Sequence, residues 1–388
     1  MGGDTDTAYT WYVDDAVAAN TRDYSTQIPS NAINAPHRVR LSACRGGQCS
    51  DVEKVVEVDP DELYPAKQLG IPIKGVCYDC GIQEDQSYGD YSSHRGISRE
   101  QMELEIIDIV NRELACNGIS IRGDDHVEII EAAEIALRGD FDIIMVMPCY
   151  PSASLDSTIS KTADLAGMAE ILRQKSDKIV FMVGAELSQL ATGIYPGKTR
   201  MERSSRINKL QYDENYQKQL VSFLKELTSA CRKRFTGKLT YGAGSWEQWW
   251  LPWDELDVDA VGSNEYWYGQ YTDESYVEGL KKLKRFGKPV FNTEFGLCSW
   301  DGSLDLGGMG WASPSSAKYD EGAQAKGIDK YLDLINKAGI EGCFYFSLIH
   351  PANTKEGEIR SYGLLRCLPS RLTRKLGFYM YKSYRRPP

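Results

Sequence analysis

The chain has 388 residues, 42% of them hydrophobic, with a formal charge of −10 and a pI near 5.1. That length supplies a large core and admits two or three domains, or one α/β barrel with extensions. The acidic balance excludes nucleic acid as the default partner. No run of about 18 apolar residues is present to span a membrane.

The first 70 residues show no repeating pattern. "MGGDTDTAYTWYVDD" lacks the basic start and apolar centre of a secretory signal. Gly2 invites a myristoylation reading, which Asp6 excludes because that position requires Ser or Thr. "STQIPSNAINAPHRVRLSACRGG" is rich in turn formers, and "DVEKVVEVDPDELYP" reads as a strand or short hairpin. Residues 1–70 are therefore expected to form an extension packed on, or draped over, a main domain spanning 71–388.

Regular alternation begins near residue 73. "IPIKGVCYDCG" reads as a strand, and "SREQMELEIIDIVNREL" as an amphipathic helix capped by Ser98, with Gln101 three residues on. "NGISIRG" (strand), "HVEIIEAAEIALRG" (helix) and "FDIIMVMPCYP" (strand) follow, then "TADLAGMAEILRQKS" (helix) and "KIVFMVGAELS" (strand). Next come the helix "YDENYQKQLVSFLKELTSACRKRF" and the strands "KLTYGAGSWEQ" and "VDAVGSNEYW". The helix "DESYVEGLKKLKRFG", the strand "KPVFNTEFG", the helix "EGAQAKGIDKYLDLINKAG" and the strand "IEGCFYFSLIHP" complete the alternation. A last helix is expected over "SRLTRKLGFYMYKSYRR", and "YKSYRRPP" reads as a solvated end. Apolar strands such as "IIMVM" belong in a parallel sheet covered on both faces. Eight such units predict a closed (β/α)8 TIM barrel of the α/β class. The absence of a G-x-G-x-x-G turn after the first strand counts against a doubly wound sheet.

Ten cysteines are scattered through the chain, several inside strands, as Cys149 and Cys343 are. They read as reduced residues of a cytoplasmic protein rather than a disulfide framework. Cys77 and Cys80 form a lone C-x-x-C, which favours structural cysteines over a metal or redox site.

In a barrel the chemistry collects where strands end. Strand four ends in Glu186 and strand seven in Glu294, so two apolar strands deliver a carboxylate to one face. Paired carboxyls can cleave a glycosidic bond: one protonates the leaving oxygen, and the other attacks the anomeric carbon or activates water. Other strand ends offer Asp79, Arg122, Asn264 and Asn292. Asn292 and Glu294, two apart, are expected on one side of their strand. Trp246, Trp249, Trp250, Tyr266, Trp267 and Trp300 are expected around the rim, either stacking on sugar rings or anchoring loops. Asp79 and Arg122 serve as a buried ion pair or as substrate contacts. Glu247 and Glu265 read as solvent-facing, and His350 as a loop residue.

Glutamates ending strands four and seven resemble the clan-A retaining glycoside hydrolases. The resemblance implies Glu186 as acid/base, Glu294 as nucleophile, and Tyr266 of strand six as a hydroxyl bonded to the nucleophile. A closer resemblance is to glycosidase-like barrels often labelled "abortive infection protein". It rests on "KGVCYDCG", "VGAELSQLATGIYPG", "LTYGAGSWE", "NTEFGLCSWDGSLDLGGMGW", "DEGAQAKGIDKYL" and "RSYGLL", together spanning about 74–365. Two departures stand out. Ala185 precedes Glu186 where the clan places Asn, and Glu265 stands beside Tyr266.

The expectation is a glycoside hydrolase-like enzyme acting through Glu186 and Glu294 on a carbohydrate or small-molecule substrate, without metal or organic cofactor. Asp79, Arg122, Trp246, Asn264, Tyr266, Asn292 and Trp300 are its expected substrate-binding residues. A second reading keeps the fold for a non-glycosidic acid/base reaction on a small metabolite. A third makes it a non-catalytic binding protein.

Overall fold

A computed structural model describes residues 7–13, 16–20, 37–56, 63–82, 96–350, 355–366 and 372–386. The chain divides into two compact units, Met1–Ala66 and Lys67–Pro388.

The first unit is a sheet of four antiparallel strands, ordered Ala16–Ala19, Ala8–Val13, His37–Arg45, Gln48–Val56. The last two form a hairpin that turns on Gly46 (φ 57°) and Gly47 (φ 81°), values that favour glycine. This turn sets Cys44 opposite Cys49, and the two are joined as a disulfide. The expectation of uniformly reduced cysteines is corrected here: a tight glycine hairpin sets two thiols five residues apart in register. Cys77, Cys80, Cys116, Cys149, Cys231, Cys298 and Cys343 are buried and form no disulfide.

The second unit is the barrel. Its strands are β1 (Ile73–Asp79), β2 (Gly118–Gly123), β3 (Ile143–Pro148), β4 (Ile179–Ala185), β5 (Lys238–Gly244), β6 (Val261–Asn264), β7 (Val290–Phe295) and β8 (Gly342–Tyr345). All pair in parallel in chain order, and β8 closes onto β1. This is a (β/α)8 TIM barrel. The strands are apolar because helices cover the outside while side chains fill the lumen.

The helices follow their apolar spacing. In Glu214–Arg232 the buried residues Leu220, Phe223, Leu224, Leu227 and Cys231 form one stripe. Ser98 caps the helix Arg99–Glu103 by accepting from the Gln101 backbone N–H. Gln101 does not return to the cap; its amide donates to Glu105 in the π-wound continuation Leu104–Glu113. No helix among the described residues is long and apolar enough to cross a membrane.

The final helix is shorter than expected, Leu376–Ser383, and Tyr384, just after it, is not solvated as read from sequence. Tyr384–Arg385 instead pairs as a short strand with Lys67–Gln68. Tyr384 is buried, and its hydroxyl lies 2.7 Å from carboxylate oxygens of both Asp329 and Asp333. The fully buried Lys74 donates to the carbonyls of Tyr384 and Leu114, each at 2.8 Å. Burial lowers its ammonium to about 8.

Phe344 fills the lower lumen. A Cβ on Gly75 would lie 2.4 Å from its ring, so the close packing depends on that glycine. Phe344→Ala would leave a cavity that closed strands cannot collapse into. Urea unfolding is expected to show a loss of about 3–5 kcal/mol; a loss under about 1 kcal/mol would place the packing centre elsewhere.

Candidate active site

β4 ends at Ala185, and the next residue turns sharply. Glu186 adopts left-handed backbone angles, φ 49° and ψ 39°, before the helical turn Leu187–Leu190. Such a conformation is costly for a residue with a Cβ and tends to mark functional positions. The Glu186 N–H is anchored to Gly242 O at 2.8 Å. Its carboxyl accepts from Asn264 Nδ2 at 3.2 Å on one oxygen and from Gln189 Nε2 on the other.

Glu294, near the end of β7, has different partners. Its Oε1 accepts from Arg122 Nη1 at 3.2 Å, and its Oε2 from the Tyr266 hydroxyl at 3.2 Å. The Arg122 guanidinium stacks over Phe346, 4.2 Å from the ring centre. Thr293 donates to Asn264 Oδ1 at 2.7 Å, so Asn264 links β7 to Glu186.

Both carboxyls line one cavity of about 640 Å³, together with Asp79, Arg122, Trp246 and Tyr266. Burial, then the charge of Glu294, pushes Glu186 up to about 7. Burial also raises Glu294, against the opposing pull of Arg122, Arg200 and the Tyr266 hydrogen bond. An amide-bonded carboxyl thus faces a carboxylate held by a guanidinium and a phenol. The first is suited to carry a proton near neutrality; at the second, the guanidinium and phenol offset part of the cost that burial puts on ionisation.

Asp79 lines the cavity and accepts from the Gly81 N–H at 2.7 Å. Arg122 forms an ion pair with Glu294. Trp246 and Trp249 reach the cavity. Three other expectations are corrected. Asn292 is fully buried and latches β7 to the end of β6. Its amide exchanges bonds with the Glu265 backbone and donates to the Tyr276 hydroxyl. Strand alternation fails there because the register with β8 shifts between Asn292 and Phe295. Trp300 lies in the core, with its indole N–H on Gly310 O at 2.9 Å. Trp267 is also buried, under the Lys330 ammonium. Neither lines the cavity.

Glu247 and Glu265 are not solvent-facing: both are buried, and burial pushes each up to about 7. The chain after β5 and β6 turns back into the barrel mouth, and these carboxyls are satisfied there. Glu247 is bonded by Ser188 and Tyr241, and Glu265 by Gln248. His350 is a buried cavity residue rather than a loose loop residue. Its Nδ1 accepts from the Tyr362 N–H, and burial keeps the ring neutral. Gln189, Arg200, Phe346 and Trp311 also line the cavity. Sequence reasoning missed them because they lie in loops, or beyond a strand end, without periodic signal.

No family model and no curated protein matches the sequence. Solved structures match the fold. A GH113 β-1,4-mannanase is 16% identical over 81% of this chain and 98% of its own, with a TM-score of 0.56. The GH113 β-mannanase AaManA from Alicyclobacillus acidocaldarius is 14% identical over 81% of this chain and 96% of its own, at 0.52. A Parabacteroides merdae β-glucuronidase is 12% identical over 98% of this chain, at 0.53; the chain spans 48% of that enzyme's length. These likenesses establish a glycoside hydrolase-like barrel fold.

The buried acids set a pH dependence. Glu186, Glu247 and Glu265 have folded values of about 7 against an ordinary 4.5. Between those values the folded chain holds more protons than the unfolded one. Their contribution is full below about pH 4.5 and is lost as pH rises through about 7. Each such group loses about 2 kcal/mol between pH 5 and 7.5, so urea stability is expected to fall by several kcal/mol over that range. A Glu247→Gln/Glu265→Gln protein should show a flatter profile. Stability that is flat or rising in the wild type would mean these carboxyls are ionised in the fold.

Proposed function

We propose that this protein is a retaining glycoside hydrolase in which Glu186 is the acid/base and Glu294 the nucleophile. The observation that carries the reading is the unequal set of donors around two carboxyls in one cavity. In the first step Glu186 donates its proton to the glycosidic oxygen while a Glu294 oxygen attacks the anomeric carbon. The C–O bond to the leaving group breaks with its electron pair, and a glycosyl ester forms. In the second step Glu186, now ionised, takes a proton from water. The water attacks the same carbon and releases Glu294.

Arg122 and Tyr266 keep Glu294 oriented and ionised before attack. Asn264 and Gln189 hold Glu186 without a full positive charge, so its proton remains available. Trp246 and Trp249 offer flat apolar faces to a sugar ring. Ala185 brings no amide to the site, so substrate hydroxyls near Glu186 are met by other groups. The similar solved enzymes are described as acting on β-1,4-mannan and on β-glucuronides. Both are β-linked sugars, the class proposed for this pocket.

The test is turnover of a broad panel of aryl β-glycosides by wild type, Glu186→Gln and Glu294→Gln. Glu294→Gln is expected to lose about 10³-fold, on the order of 4 kcal/mol in barrier. Glu186→Gln should lose about 10²–10⁴-fold on poor leaving groups and less on activated ones. Proton NMR of the first-formed sugar should show the starting anomeric configuration. The inverted anomer would remove Glu294 as nucleophile. Silence across the panel from folded protein would favour the non-glycosidic acid/base reading.

A further inference from the structure

Glu247 takes no part in the steps above, yet it is a fully buried carboxyl at the mouth of the barrel. Its two oxygens run in different directions. Oε1 accepts from the Tyr241 hydroxyl at 2.5 Å and from the Gly244 N–H at 3.3 Å. That same hydroxyl accepts from the Leu187 N–H at 2.9 Å, and Leu187 immediately follows Glu186. Oε2 accepts from the Ser188 hydroxyl at 2.5 Å, whose oxygen in turn accepts from Trp246 Nε1 at 3.0 Å. One arm therefore ends on the turn that holds Glu186 in its left-handed conformation. The other ends on the indole that lines the cavity.

We infer that Glu247 is a positioning residue that couples the acid/base to the stacking platform, fixing the Glu186 turn through Tyr241 and the Trp246 indole through Ser188. The inference rests on the glycosidase reading for its kinetic meaning. Its structural content stands apart from it. Every atom in the two arms has its partner, and a fully satisfied buried network holds a single geometry. A left-handed backbone persists only where its surroundings over-determine it, and the Leu187–Tyr241–Glu247 arm supplies that restraint.

The two arms separate by mutation. Tyr241→Phe removes the acceptor for the Leu187 N–H and leaves the Trp246 arm intact. It is expected to lower kcat by about tenfold, at an unchanged KM, and to move the pH limb governed by Glu186. Ser188→Ala removes the acceptor for the Trp246 indole. It should raise KM by about fivefold, with kcat within about twofold. Glu247→Leu should show both defects, and Glu247→Gln, which keeps one accepting oxygen, should restore the arm that this oxygen serves and not the other.

The titratable and charged neighbours of Glu186 are Glu294, Arg200, Glu247 and the phenols of Tyr241, Tyr266 and Tyr268. A moved pH limb is assigned to Glu186 by carboxyl ¹³C NMR of glutamate-labelled protein, using Glu186→Gln to identify its signal. This readout needs no substrate. A Glu186 titration that moves in folded Tyr241→Phe and stays in Ser188→Ala supports the coupling. Faster indole N–H exchange of Trp246 in Ser188→Ala supports the other arm. An unmoved Glu186 titration together with unchanged Trp246 exchange overturns the inference. If Glu186→Gln turns over substrate like wild type, the glycosidase reading falls instead, while the NMR results still decide the coupling.

Discussion

Two carboxyls share one cavity where burial disfavours ionisation of both and the charge of Glu294 adds to the cost at Glu186, and the upper barrel is arranged around that conflict. The solution is asymmetry. Glu294 receives a guanidinium from β2 and a phenol that follows β6, while Glu186 receives amides from the end of β6 and its own turn. These donors come from strands that are distant in order around a sheet. An open sheet would leave β2 far from β7. Closure of β8 onto β1 brings Arg122 within 3.2 Å of Glu294. The closed barrel is therefore a condition of the carboxyl chemistry, beyond being a way to bury apolar surface.

The barrel was legible because its signals are local. Each strand announces itself by a short apolar run, and each long helix by a stripe such as Leu220, Leu224, Leu227 and Cys231. The placement of Glu186 and Glu294 followed from the rule that strand ends share one face. What failed depended on chain paths beyond the strand ends. Glu247 and Glu265 look solvent-facing in sequence because they follow strands, yet the turns carry them back inside. Asn292 looked like a neighbour of Glu294 by alternation, and a register shift between them and β8 turned it away. Trp300 sits in a long loop whose fold no periodicity encodes. Cys44 and Cys49 are opposite because of two glycines with positive φ, a signal present in "CRGGQC" that the sequence shows only as a turn-rich stretch.

The lumen divides into an apolar lower layer and a polar upper one. Ile73, Met145, Phe291 and Phe344 pack below, where substitution costs stability. Above them, buried polar side chains bond one another: Thr293 donates to Asn264, and Asn264 donates on to Glu186. A polar layer this deep is tolerable only when its members are paired, because each unsatisfied group would cost about 1–3 kcal/mol. Pairing also removes alternatives, so the layer serves as a rigid floor for the two cavity carboxyls.

Small residues make that floor possible. A Cβ on Gly244 would lie 2.5 Å from the Trp246 ring, so only glycine lets the indole fold back over the end of β5. A Cβ on Gly242 would approach Ala185 at 3.1 Å and Asn264 at 3.2 Å, the residue before Glu186 and its amide donor. The run "GAG" at the end of β5 is thus explained by what crosses above it. β5 contributes little side-chain volume there, so β4 and β6 can close over it. That close approach places the Asn264 amide on Glu186 and the Trp246 indole on Ser188.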